Sequence, residues 1–174
     1  MLKIDIWYIY KLEDSIMNEN ICCFFGHRKI NETEKLKSKL FEIIEKLIVE
    51  NKVDTFLFGS KSQFNSLCQK TVSKIKEKHP HIKRIYVRAE YPYISEQYKE
   101  YLLQRYDDTF YPEKILNSGK SAYVERNCEM IDKSQYCIFY YNKQSIASTL
   151  KSGTKIALDY AKKHNKNIIV LNDF

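Results

Sequence analysis

Glycine and proline are scarce in this chain: 4 and 3 residues among 174. That excludes a collagen-like chain and a glycine- or proline-rich low-complexity one. No apolar run approaches the roughly 20 residues that cross a bilayer, so no spanning helix and no membrane partner are expected. No CxxC pair occurs, and the five cysteines (Cys22, Cys23, Cys68, Cys128 and Cys137) are an odd number. Such a set reads as reduced thiols in the core of a cytoplasmic protein rather than a disulfide framework. Cys22 or Cys23 with His27 comes nearest to a metal site. No second ligand pair has suitable spacing, so no metal and no cofactor are expected. Internal repeats and linkers are lacking too.

What remains is an ordinary globular composition, 44% apolar and 29% charged. A chain of this length makes one domain and buries about 70% of the surface its unfolded form exposes. It needs neither disulfides nor a structural metal. Twenty-nine basic residues against 22 acidic ones give +7 and a pI near 9.0. The excess favours anionic partners. A nucleotide-type small molecule comes first, nucleic acid second, and a homo-oligomer is compatible with either. Many lysines, such as Lys35, Lys37 and Lys39, fall on helix faces that read as solvated surface.

Residues 1–20 read differently from the rest and are taken as an N-terminal extension to a single domain over 21–174. Trp7-Tyr8-Ile9-Tyr10 is too short for a signal-peptide core, and no small-residue cleavage site follows. Translation starting at Met17 is one reading of this segment. An edge strand or a docked tail is the other.

Ile21-Cys22-Cys23-Phe24-Phe25 is a continuous apolar run, the mark of a strand buried on both faces. Adjacent Cys22 and Cys23 would point to opposite faces. Asn31 with Glu34 predicts a helix start, and Leu36, Leu40, Phe41, Ile43, Ile44, Leu47 and Ile48 recur at helical spacing. Further strands are predicted at 55–58, 84–87, 109–111, 136–141 and 167–171. Helices are predicted at about 62–78, 95–105, 122–133 and 153–164. Alternating strands and helices predict a three-layer, Rossmann-like α/β domain with a mainly parallel sheet of five to six strands. Such sheets bind ligands beyond the carboxyl ends of their strands. The irregular segment 89–121 is where a lid or specificity loop would lie.

The residues after each strand are therefore the candidates. Gly26-His27-Arg28 follows the first strand. Glycine permits a close backbone approach there, and Arg28 offers a planar fork suited to phosphate. Gly59-Ser60 leads into a helix start with Ser62 as its cap. Ser152-Gly153-Thr154 opens another helix, whose free amides and hydroxyl would cradle an anion. Arg126 and Asn127 lie on the helix entering the fifth strand. Arg126 would act on the same anion as the Gly153-Thr154 turn. An arginine kept for the ligand alone could be removed with little loss of stability. Its structural rival is a brace to Asp132 or to a neighbouring loop.

These elements, in this order, resemble the YpsA-like branch of the SLOG superfamily, named for its DprA-like and LOG-like members. The family's CCFTGHR start is matched by Cys22-Cys23-Phe24-Phe25-Gly26-His27-Arg28. Its RN and M-[VI]-D are matched by Arg126-Asn127 and Met130-Ile131-Asp132, and its GGT-x-x-A-x-x-YA by Ser152 to Ala161. The likeness covers about residues 21–172. In the usual GxxxGxD turn, Gln63 here replaces the second glycine and Asn65 the acid. Ser152 replaces the first glycine of GGT. A narrower or less acidic pocket floor is implied.

The resemblance implies a Rossmann-like fold holding a nucleotide or nucleotide-derived ligand at Gly26, His27, Arg28, Gly59, Ser60, Arg126, Asn127, Ser152, Gly153 and Thr154. A tyrosine among Tyr91, Tyr93 and Tyr111 would stack on a base. LOG-type relatives are phosphoribohydrolases that need an acid shortly after the GT. Here Lys155, Ile156 and Ala157 follow, and the first acid is Asp159. The first expectation is therefore a cytoplasmic sensor or carrier without turnover. The second is an N-glycosidic hydrolase using Glu125, Asp132 or Asp159. The third is DprA-like binding of single-stranded DNA.

Overall fold

The computed structural model describes residues 20–142 and 152–172. The N-terminal extension to residue 19, with Met17, and most of the polar loop after the fifth strand lie outside the described residues. Six strands and five helices alternate: β1 (Ile21–Gly26), α1 (Glu34–Asn51), β2 (Thr55–Phe58), α2 (Gln63–Lys76), β3 (Lys83–Val87), α3 (Glu96–Leu103), β4 (Asp108–Phe110), α4 (Lys120–Lys133), β5 (Tyr136–Tyr140), α5 (Gly153–Lys163) and β6 (Asn167–Leu171).

The sheet order is β4-β3-β2-β1-β5-β6, and every pairing is parallel. From β1 the chain steps outward through β2, β3 and β4, then returns to pair β5 with the other edge of β1. The order reverses between β1 and β5. The crossovers diverge there, and their loops leave a crevice above the strand ends.

Alternation along the strands builds two cores. Cys22, Phe24, Phe56 and Phe58 meet Leu40 and Ile44 of α1 and Phe64 and Val72 of α2 on one face. Ile21, Cys23, Phe25 and Leu57 meet Met130 of α4 and Leu158 of α5 on the other. Cys22 and Cys23 thus face opposite layers, as strand geometry requires. Burial raises the pKa of Cys22, Cys23 and Cys68, which makes them inert thiols. Cys23 Sγ lies 3.5 Å from Cys137 Sγ with both residues wholly buried.

Several boundaries differ from the sequence expectation. α1 is capped by Thr33, whose hydroxyl accepts from Leu36 N at 3.1 Å, not by Asn31. Asn31 instead offers its carbonyl to Thr33 N at 3.0 Å, one turn ahead of the helix. α4 begins two residues early, at Lys120. Gly119 caps it at φ 63, a backbone that favours glycine, with no side-chain cap. The sheet is wholly parallel. No helix among the described residues is long and apolar enough to cross a membrane.

Candidate functional site

A cavity of about 700 Å³ opens above the carboxyl ends of β1, β2, β3 and β5. All ten residues expected at the site line it: Gly26, His27, Arg28, Gly59, Ser60, Arg126, Asn127, Ser152, Gly153 and Thr154. They come from the turns after β1, β2 and β5, from α4 and from the start of α5, which the topology brings to one end of the sheet.

Arg126 is the centre of the arrangement. It is only 3% exposed. Its Nη1 donates to the carbonyls of Gly59 and, at 3.2 Å, Val87, the last residues of the β2 and β3 ends. Nε donates to Asn127 Oδ1 at 2.9 Å, and the guanidinium carbon stands 5.7 Å from the Tyr123 ring centre. Asp132 does not touch it; of the two expected braces the one to a neighbouring loop is present, at Gly59 O after β2, with Val87 O beside it. No carboxylate pairs with Arg126 among the described residues, and its Nη2 has no acceptor there. Burial pulls its pKa down to about 10, still far enough above neutrality to keep it charged.

The packing explains Gly59. A Cβ there would lie 2.7 Å from Arg126 Nη1 and 2.8 Å from its Cδ and Cζ. Gly26 is required for a different reason, because a Cβ would collide with the Phe64 ring. Gly153 is different again: nothing among the described residues lies within 4 Å of its Cβ position.

The two helix starts are unequal. At α5, Ser152 Oγ accepts from Lys155 N at 3.1 Å and its carbonyl from Ile156 N. The amides of Gly153 and Thr154 have no acceptor among the described residues. At α2, Ser62 Oγ takes Asn65 N at 3.1 Å and Arg28 O takes Gln63 N at 3.0 Å, so the loop after β1 uses this helix end. Among the described residues α5 thus leaves two first-turn amides without an acceptor, Gly153 and Thr154, where α2 leaves one, Phe64. Neither helix carries an acid in its first turn.

Gln63 and Asn65 do not shape the pocket floor as expected. Gln63 is exposed, and its Oε1 accepts from Ile30 N at 2.9 Å. Asn65 is buried and donates through Nδ2 to Phe24 O at 3.1 Å. Both tie α2 to the β1 end. His27 Nε2 accepts from Asn142 N at 3.0 Å, which fixes the Nδ1–H tautomer and joins the β1 loop to the β5 end. Arg28 is exposed at the rim, and its guanidinium has no partner among the described residues.

The structure adds residues that sequence reasoning missed: Lys61, Tyr86, Arg88, Glu90, Tyr98 and Tyr123. Glu90 accepts from Tyr123 Oη at 2.7 Å and from Lys61 Nζ at 3.3 Å. The Tyr123 bond, aided by Lys61, keeps its carboxyl below the usual range against a smaller burial effect. Arg88 and Glu90 follow β3 directly, so the strand-end rule that found Gly59 could have found them. Tyr123 offered no signal beyond its helical spacing from Arg126. Of the expected stacking residues, only Tyr91 lines the cavity. Tyr93 is 92% exposed, and Tyr111 packs on Ala89, Ile115 and Ala122.

The three carboxylates expected of a hydrolase are occupied elsewhere. Glu125 accepts from the amides of Leu116 and Asn117 at 3.2 and 3.1 Å. Asp132 accepts from Tyr160 Oη at 3.0 Å, and Asp159 pairs with Lys155. None lines the cavity. No model of a known protein family matches the chain, and no curated protein matches it either.

Proposed function

We propose that this protein binds a nucleotide or nucleotide-derived ligand, as a sensor or carrier, with the ligand's anionic group between Arg126 and the Gly153 and Thr154 amides. Membership of the YpsA-like SLOG branch and a cytoplasmic location are parts of the same reading. The observation that carries it is Arg126: a buried cation beside a cavity, with no carboxylate in contact with it among the described residues. An unpaired buried charge is costly, and an arriving phosphate would supply the missing partner. Two free amides at the α5 start favour the same occupant. Hydrolysis is the weaker reading, because each of its three expected carboxylates is engaged outside the cavity.

The test is isothermal calorimetry and thermal shift with nucleoside monophosphates, NAD, ADP-ribose and cyclic nucleotides. At least one should bind. Arg126→Ala should weaken it by roughly 30-fold or more, since losing one partner of a desolvated charged contact costs about 2–5 kcal/mol. Arg126→Lys should recover little, because an ammonium lacks the fork. Absence of binding by every compound, or unchanged affinity in Arg126→Ala, overturns the reading.

A further inference from the structure

We propose that Glu90 is a second recognition point in this cavity, accepting hydrogen bonds from a vicinal diol, so that the site selects ribose-bearing ligands over deoxyribose-bearing ones. The inference rests on the anion site proposed above.

Glu90 is the only carboxylate lining the cavity among the described residues, whereas Arg28, Lys61, Arg88 and Arg126 all line it. An ionised carboxylate repels phosphate and offers only acceptors, about four lone-pair sites over its two oxygens. Whatever meets Glu90 must therefore donate. Tyr123 and Lys61 satisfy part of that capacity and fix the group from two other elements, α4 and the β2–α2 turn.

The same tyrosine orders the two poles. Its hydroxyl holds Glu90 at 2.7 Å, and its ring faces the Arg126 guanidinium at 5.7 Å. One aromatic ring thus separates the anion-seeking group from the donor-seeking group. In a nucleotide the sugar hydroxyls lie one short arm from the phosphate, and the base edge lies farther off. The diol is the donor that matches a one-ring separation. Tyr86, Tyr91 and Tyr98 also line the cavity and offer aromatic faces to a base.

The experiment is calorimetry of wild type, Glu90→Gln and Arg126→Ala with AMP, 2′-deoxy-AMP, GMP, 2′-deoxy-GMP and pyrophosphate. Wild type should prefer each ribonucleotide at least tenfold, the scale of one hydrogen bond to a charged group. Glu90→Gln should bring the preference within about threefold. It should also tighten pyrophosphate, because a negative charge leaves the cavity wall; the lost ribose preference is the readout that a merely structural tie would not move. Equal wild-type affinities for ribo and deoxy forms, or a preference that survives in Glu90→Gln, overturn the inference. If the wild type does not discriminate and Arg126→Ala weakens both forms, the anion site stands and the diol site falls. If neither nucleotide nor pyrophosphate binds, both fall.

Discussion

Two glycines on one cavity wall serve opposite purposes, and substitution separates them. Gly59 is small because the Arg126 side chain lies over it. Gly59→Ala must push the guanidinium off the β2 and β3 carbonyls. Overpacking of this kind costs about 1–3 kcal/mol. For a chain of this size that is a fall of roughly 2–12 °C in Tm, and ligand affinity should fall with it. Gly153 has nothing within 4 Å of its Cβ position among the described residues. Gly153→Ala should leave Tm within about 1 °C yet weaken the ligand, because the methyl enters the cradle. Melting curves and calorimetry on the two variants read this directly. A Gly153→Ala protein that binds normally would remove the α5 start from the site. Arg126 has a similar double character. Sequence alone presented it as a ligand group or a brace to Asp132 or a neighbouring loop. The structure makes it a brace to Gly59 and Val87, so Arg126→Ala should also lower the Tm of the free protein. Affinity relative to Arg126→Lys is the readout that isolates its ligand role.

At the scale of elements, α2 is docked by side chains that interrupt the family-like turn. Asn65 Nδ2 donates to Phe24 O within the core. Asn65→Asp would set a carboxylate against that carbonyl in a buried place. It should destabilise by about 2–4 kcal/mol at pH 7 and recover as the pH falls and the acid protonates. Chemical denaturation at pH 7 and pH 4.5 tests it, and an equally stable variant would contradict the packing described. Asp107 titrates in the reverse sense. Its carboxylate accepts from Arg84 N at 2.8 Å, Nε at 3.1 Å and Nη2 at 3.1 Å, just before β4. Partial burial opposes ionisation, but the Arg84 bonds outweigh it and the pKa falls. A depressed carboxylate pKa stabilises the fold above the unfolded value, near 3.9, and the benefit is lost as pH falls through the lower folded value. Asp107→Asn should thus cost about 1 kcal/mol at pH 7, and the gap should shrink steadily as pH falls below about 3.9. A Tm gap that does not narrow at all on acidification below that value would refute the assignment.

The same elements show what was legible. Strands buried on both faces write continuous apolar runs, so β2 was readable to the residue and β1 to all but Gly26, and β6, a half-exposed edge strand, was also readable to the residue. The start of α1 was not, because Asn31 and Thr33 are both good caps and only the Thr33–Leu36 bond decides. The start of α4 rests on a backbone angle at Gly119 that no side-chain signal announces. The site was legible where loops are short. Glu90 and Tyr123 were missed because their partnership spans 33 residues and exists only once β3 and α4 share a sheet end.

At the scale of the molecule, the net charge of +7 does not specify its own use. Part of the lysine excess is engaged locally, as in the Lys37–Glu34, Lys39–Glu42 and Lys46–Glu50 pairs of α1. Such exposed pairs add little stability and no directed field. The cavity is different: four cations and one carboxylate converge on about 700 Å³. That volume suits one small anion, not a tracked strand. Salt separates the two uses. A protein neutralising 6–10 phosphates loses about 10³–10⁵ in affinity between 50 and 200 mM salt. A pocket that takes one or two charged groups, with Arg126 shielded from solvent, should lose about tenfold or less over the same range. Calorimetry of the bound nucleotide at both salt concentrations measures the slope. Retardation of a single-stranded oligonucleotide under the same conditions supplies the comparison. A shallow slope with no retardation at 200 mM salt is expected. A steep slope shared by nucleotide and oligonucleotide would mean that the distributed lysines carry the binding, and the DprA-like reading would then displace the pocket.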